Sequence, residues 1–213
     1  MSDSQRIKIG ILGGSFNPIH NGHIEIGLQA MKQYKLERIV VMPNNIPNYK
    51  RVSGDVHNTY REDMVKLAVK DIEGFVYSDM EITRPGITYT SDTLEELTRR
   101  YKGVSWHFIM GGDSLMNFDK WHRPDIIVSL STLLVTARDD VDEEKAMNKI
   151  KELSLLYPGA NIKYVKIPQM DISSSLIRRK LMAGENIKGM VPDAVGQYIF
   201  DNHIYTHVGE IDV

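Results

Sequence analysis

The stretch Gly13-Gly14-Ser15-Phe16-Asn17-Pro18-Ile19-His20-Asn21-Gly22-His23 decides how this chain is read. It follows a short apolar, β-branched run at residues 7–12. After it, Ile24, Gly27, Leu28, Met31 and Tyr34 recur at helical spacing and predict a helix over 22–35. A glycine-rich turn from strand into helix brings backbone N–H groups close to an anion at the helix N-terminus, where the macrodipole also favours negative charge. The turn is therefore read as a phosphate site. Its spacing is neither G-x-G-x-x-G nor G-x-x-x-x-G-K-[ST], which argues against dinucleotide-dependent dehydrogenases and P-loop kinases.

Outward from this turn, the same alternation continues. Further strands are predicted at 38–42, 75–78, 105–110, 132–136 and 162–165, and helices at 60–70, 92–101, 142–156, 174–182 and 192–201, the last with Pro192 at its first helical position. Strands alternating with amphipathic helices predict an α/β fold, a Rossmann-like doubly wound and mostly parallel sheet with helices on both faces. Three stretches resist assignment, 43–58, 83–90 and 111–123. Each follows a strand, where open α/β sheets bind ligands, so these are the expected site loops. No repeat or linker interrupts the 213 residues, and a single domain over 1–213 is expected.

Composition narrows the classes. The 42% apolar and 25% charged content excludes a disordered or fibrous chain. With 26 Lys and Arg against 28 Asp and Glu, the net charge of -2 provides no global field for nucleic acid, so no nucleic-acid partner is expected. The absence of cysteine excludes disulfides, thiolate nucleophiles and cysteine-based metal sites. No run approaches the ~18 apolar residues of a membrane span. A cytoplasmic protein without membrane contact is expected, compatible with a homodimer.

His20 and His23 are three residues apart at the helix start. On a helix this places the side chains on one face, about 5–6 Å apart at Cβ, where both imidazoles reach one polyphosphate. Imidazole N–H groups stabilise charge developing on phosphate oxygens. A metal pair is the competing chemistry, but no third-ligand motif such as H-E-x-x-H accompanies it, and no metal site is expected. The bland alternative makes the glycines a tight turn and the histidines surface residues. A second cradle is read at Asp171-Ile172-Ser173-Ser174-Ser175-Leu176-Ile177-Arg178. Helix capping accounts for one serine. Three serines followed by Arg178, one turn beyond Ser174, suggest hydroxyls and a guanidinium aimed at a second anion site.

G-G-S-F-N-P-x-H-x-G-H near one end and I-S-S-S-x-I-R near the other together resemble the nucleotidyltransferase superfamily of α/β adenylyl- and cytidylyltransferases. Within it, the chain is similar to the bacterial nicotinate-mononucleotide adenylyltransferases. The similarity runs from residue 7 to about 200 and includes Met42-Pro43-Asn44-Asn45-Ile46-Pro47 with Lys50, Gly86-Ile87-Thr88-Tyr89-Thr90 with Asp92-Thr93-Leu94, and Gly111-Gly112-Asp113-Ser114-Leu115 with Phe118 and Trp121. One loop departs from the family pattern. Pro47-Asn48-Tyr49-Lys50 stands where Pro-Pro-His-Lys is usual, so a proline and a histidine are absent while Lys50 is retained.

The resemblance implies transfer of AMP from ATP to nicotinate mononucleotide, with Mg²⁺ carried in on ATP. It implies that His20, His23, Arg178 and Lys50 are catalytic. ATP would meet Gly13, Gly14, Ser15, Phe16, His20, His23, Gly111, Asp113, Ile172, Ser173, Ser174 and Arg178, with Asp113 on ribose hydroxyls. A helix cap is the equally simple role for Asp113. The mononucleotide would meet Ser15, Phe16, Asn44, Lys50, Thr88, Tyr89, Thr90, Trp121 and Arg138. Trp121, among Asp119, Lys120, His122 and Arg123, is read as a stacking face, whereas Trp106 in a predicted strand is read as core. Related transferases acting on pantetheine phosphate, cytidine nucleotides or the amide mononucleotide share both phosphate motifs. A non-catalytic nucleotide sensor is the alternative from another class.

Overall fold

The computed structural model describes residues 6–45, 56–137 and 140–205. Six strands form one sheet: β1 (Ile7–Gly14), β2 (Arg38–Pro43), β3 (Phe75–Tyr77), β4 (Val104–Gly111), β5 (Ser131–Thr136) and β6 (Ile162–Val165). Their order is β3-β2-β1-β4-β5-β6, and every adjacent pair is parallel. The helices are α1 (Asn21–Tyr34), α2 (Asn58–Val69), α3 (Thr90–Arg100), α4 (Gly112–Met116), α5 (Pro124–Leu130), α6 (Asp140–Leu156), α7 (Ser174–Met182) and α8 (Asp193–Asp201).

Consecutive strand residues point to opposite faces of a sheet, and both faces here are apolar. Leu12, Val41, Ile109 and Leu134 join one core with Ile24, Met64, Val65, Val195 and Ile199 from α1, α2 and α8. Ile11, Phe108, Leu133 and Val135 join the other with Leu94, Leu115, Ile127 and Leu153 from α3, α4, α5 and α6. Helix α1 lies close against the sheet because Gly27 has no side chain. A Cβ at Gly27 would stand 2.6 Å from the Phe75 ring.

All six expected strands are present. Residues 111–123, expected as loop, instead fold as α4 followed by a 3₁₀ turn at Phe118–Lys120, and α5 was not anticipated. These helices are too short for hydrophobic periodicity to reveal, and they are held by contacts with the second core. Pro192, expected at the first helical position, is instead the N-cap of α8, one residue before that position. From β1 the chain proceeds to β2 and β3 on one side, and from β4 to β5 and β6 on the other. The strand order thus reverses between β1 and β4, and a crevice opens at their carboxyl ends. No helix among the described residues is long and apolar enough to cross a membrane.

Candidate functional site

A cleft of about 340 Å³ occupies this switch point, walled by the ends of β1 and β4 and the start of α1. Gly13, Gly14, Ser15, Phe16, His20 and His23 line it, as do Gly111, Asp113 and Ile172. His20 is the N-cap of α1 and His23 is its third residue. Their rings stack at 3.7 Å between centroids, and the Phe16 ring meets His23 edge-on at 5.0 Å. The His20 backbone N–H donates to His23 Nδ1 at 3.2 Å. A neutral His23 therefore carries its proton on Nε2, as an N–H donor. Gly22 makes room for the pair, since a Cβ there would lie 3.0 Å from His20 Nδ1. The histidines are built into the cleft rather than scattered over the surface, and His20 is 7% exposed.

The loop between β1 and α1 is clamped from behind through its carbonyls. Arg61 Nη1 of α2 donates to the Ser15 carbonyl at 2.7 Å, Arg178 Nη1 of α7 to the Asn17 carbonyl at 2.6 Å, and Ser174 Oγ to the Pro18 carbonyl at 2.9 Å. The Tyr205 hydroxyl donates to Asn17 Oδ1. Phe16 adopts a left-handed φ of 45° while almost fully buried, a conformation costing roughly 1–3 kcal/mol that the surrounding clamps maintain.

The second motif has structural work beside the anion contacts expected of it. Ser173 caps α7, its Oγ accepting from the Leu176 N–H at 3.1 Å. Ser174 and Arg178 bind the first loop, and Ser175 is exposed. Of this motif Ile172 lines the cleft, whereas Ser173, Ser174 and Arg178 stand behind its wall.

Asp113 is the second residue of α4 and lines the cleft, while the N-cap is Gly111. Asn44, Thr88, Thr90 and Trp121 line the opposite part. Asn44 is oriented at both ends of its backbone: its N–H donates to the Gly14 carbonyl at 3.0 Å, and its carbonyl accepts from Arg61 at 2.8 Å. Asn44 Oδ1 and Thr88 Oγ1 are buried polar atoms with no hydrogen-bond partner among the described residues. Such groups in a cleft wall can bond a polar ligand or water. Trp121 packs edge-on against Phe108 at 5.9 Å and tilted against Phe118 at 5.7 Å, so part of the indole is core while another part faces the cleft. Tyr89, the N-cap of α3, lies in an annex beyond Trp121, its ring 4.2 Å from His122. Trp106 is core, as expected. Lys50 and Arg138 lie outside the described residues.

Two residues absent from the sequence reading belong here. Arg61 is 5% exposed and holds both Ser15 and Asn44. The visible signal was an arginine on the buried stripe of α2 with Met64, Val65 and Ala68. Glu81 lines the cleft at 9% exposure, with Oε1 accepting from Thr93 Oγ1 at 2.7 Å. Burial pushes its pKa above the ordinary value, against the opposing pull of the Thr93 hydrogen bond and the Arg84 charge. Among the described residues no group of three His, Asp or Glu side chains could hold a metal ion.

A switch-point cleft with a histidine pair at a helix start defines an α/β nucleotidyltransferase, and residues 11–180 match the cytidylyltransferase-like family. A curated relative from Lachnoclostridium phytofermentans, named "Probable nicotinate-nucleotide adenylyltransferase", is 40% identical over 93% of this chain and 98% of its own. One of the same name from Clostridium acetobutylicum is 37% identical over 93% and 98%. The Plasmodium falciparum nicotinic acid mononucleotide adenylyltransferase, solved in complex with NaAD, superposes with a TM-score of 0.74 at 20% identity, over 93% of this chain and 97% of that one. The chain belongs to the nicotinate-nucleotide adenylyltransferase family.

Proposed function

We infer that the protein transfers AMP from ATP to nicotinate mononucleotide, releasing pyrophosphate and forming nicotinic acid adenine dinucleotide, a step of NAD biosynthesis. The observation that carries this reading is the joining, in one cleft, of the stacked His20–His23 pair with the unpartnered Asn44 and Thr88 groups. The names of the relatives support the same reaction.

The mononucleotide phosphate has a second pKa near ~6, so the nucleophile is already largely ionised at neutral pH and needs no general base. One of its oxygens bonds to the α-phosphorus of ATP as the bond from that phosphorus to the bridging oxygen breaks, and the electron pair leaves with pyrophosphate. The protein's task is to align two mutually repelling anions and to stabilise the charge that develops between them. His23 Nε2–H and His20 supply donors at the cleft wall, and the loop from Gly14 to Phe16 supplies backbone N–H groups. Arg61 and Arg178 add positive charge behind the same loop. Asp113 is suited to ribose hydroxyls, Trp121 to stacking on the pyridine ring, and Thr88, Tyr89 and Thr90 to its carboxylate. Mg²⁺ would be held chiefly by the triphosphate and would neutralise phosphate charge. The proposed setting is the cytoplasm.

The test is pyrophosphate release by purified protein with Mg²⁺, ATP and, separately, nicotinate mononucleotide, nicotinamide mononucleotide or phosphopantetheine. Strong release with the first alone supports the reading. Release with none, in protein that binds ATP, overturns it in favour of a nucleotide sensor.

A further inference from the structure

Asn44 and Thr88 reach the cleft on separate loops, one leaving β2 and the other following β3. These strands pair over only three registers, Ile39 with Phe75 through Val41 with Tyr77, and both loops run on beyond the last pair. Sheet pairing alone therefore leaves the loops' relative placement undetermined.

A series of hydrogen bonds behind the cleft wall, running through side chains and the Arg84 backbone carbonyl, spans that gap. Arg61 Nη2 donates to Asn58 Oδ1 at 2.5 Å, and Asn58 Nδ2 donates to Asn45 Oδ1 at 2.7 Å. Asn45 Nδ2 in turn donates to the Arg84 carbonyl at 2.8 Å. The Arg84 guanidinium donates to Thr93 Oγ1 at 2.9 Å and to Glu96 Oε2 at 2.6 Å. Thr93 Oγ1 then donates to Glu81 Oε1 at 2.7 Å, in the cleft wall itself. At the other end, Arg61 holds the carbonyls of Asn44 and Ser15. Each amide in the series donates on one side and accepts on the other, so its orientation is fixed by its neighbours.

We propose that Arg61, Asn58, Asn45 and Arg84 form a positioning relay that registers the Asn44 loop against the Thr88 loop and so determines affinity for the mononucleotide. This rests on the adenylyltransferase reading. None of the four lines the cleft. Asn45 is the discriminating position, because it bridges the two loops directly. Asn45→Asp keeps an oxygen to accept from Asn58 but turns an oxygen towards the Arg84 carbonyl. An attraction becomes a repulsion with almost no change in volume. The ATP half of the cleft, at His20, His23 and Ile172, is clamped by α7 and Tyr205 through separate bonds, and shares with the relay the Arg61 bond to the Ser15 carbonyl, which neither Asn45 nor Asn58 makes.

The experiment measures KM, kcat and calorimetric Kd for nicotinate mononucleotide and for Mg²⁺-ATP, with melting temperature, in the wild type, Asn45→Asp and Asn58→Asp. The expected result is a rise of about tenfold in KM and Kd for the mononucleotide, the scale of one misplaced hydrogen-bonding group. ATP values stay within about twofold, and kcat at saturation is largely retained. Asn58→Asp, which keeps its acceptor for Arg61 but loses its donor to Asn45, carries the same test if Asn45→Asp does not fold. Unchanged mononucleotide affinity, or an equal rise for both substrates, overturns the relay and leaves the network as scaffold. Failure of the wild type to bind or use the mononucleotide would instead remove the adenylyltransferase reading, and the relay with it.

Discussion

At the scale of single residues, the structural role of His23 and the catalytic role proposed for it can be separated by measurement. Its Nδ1 accepts from the His20 N–H, and the opposite ring nitrogen is left as a donor. His23→Ala should lower kcat by about 10²–10³, the usual cost of losing one group that stabilises transition-state charge. The lost cap should reduce stability by only about 1 kcal/mol. Stopped assays with urea unfolding would check both, and a kcat close to wild type would remove His23 from the chemistry. Trp121→Ala should raise the mononucleotide KM while sparing that for ATP. It should also lower the melting temperature, because the indole packs on Phe108 and Phe118. The histidine pair was legible because spacing and helix position are local properties. Arg61 and Glu81 were not, since the burial of a charged residue is decided by partners far along the chain.

Among the elements, α1 shows how local sequence and packing cooperate. Gly27→Ala improves helix propensity by about 1 kcal/mol, yet the new Cβ would meet the Phe75 ring at 2.6 Å. Overpacking of this kind costs roughly 1–3 kcal/mol, so the net change should be destabilising and visible as a lower urea midpoint. A higher midpoint would mean that β3 yields without cost. Strands announced themselves through β-branched apolar runs, and long helices through periodicity. The short helices α4 and α5 did not, because helices of five and seven residues exist only through the core they rest on. The serine cluster at the start of α7 was recognised as an anion cradle, but its structural work was not read. One serine caps, and another reaches across to the Pro18 carbonyl.

For the molecule as a whole, Glu81 ties stability to pH. Burial raises its folded pKa above the ordinary 4.5 of a glutamate. The protonated form is thus the one that the fold favours, so its contribution is complete below pH 4.5 and fades as pH rises through the folded value. Glu81→Gln, which keeps an acceptor for Thr93, should remove this dependence. Urea midpoints measured from pH 4 upward should converge for the two proteins in acid and diverge above it, with the wild type lower; parallel curves would show that Glu81 is solvated.

The clamp on the β1–α1 loop also bears on the order in which the protein becomes competent. The loop lies near the start of the chain, yet Arg178 and Tyr205, which grip Asn17, follow it by 161 and 188 residues. A polypeptide emerging from the ribosome can pair its first five strands while α7 and the segment carrying Tyr205 are still unsynthesised. At that stage the glycine-rich turn has no grip on its Asn17 and Pro18 carbonyls. The glycine-rich turn is thus made well before it acquires its clamped shape, and any activity that depends on that shape waits until the segment carrying Tyr205 has been delivered.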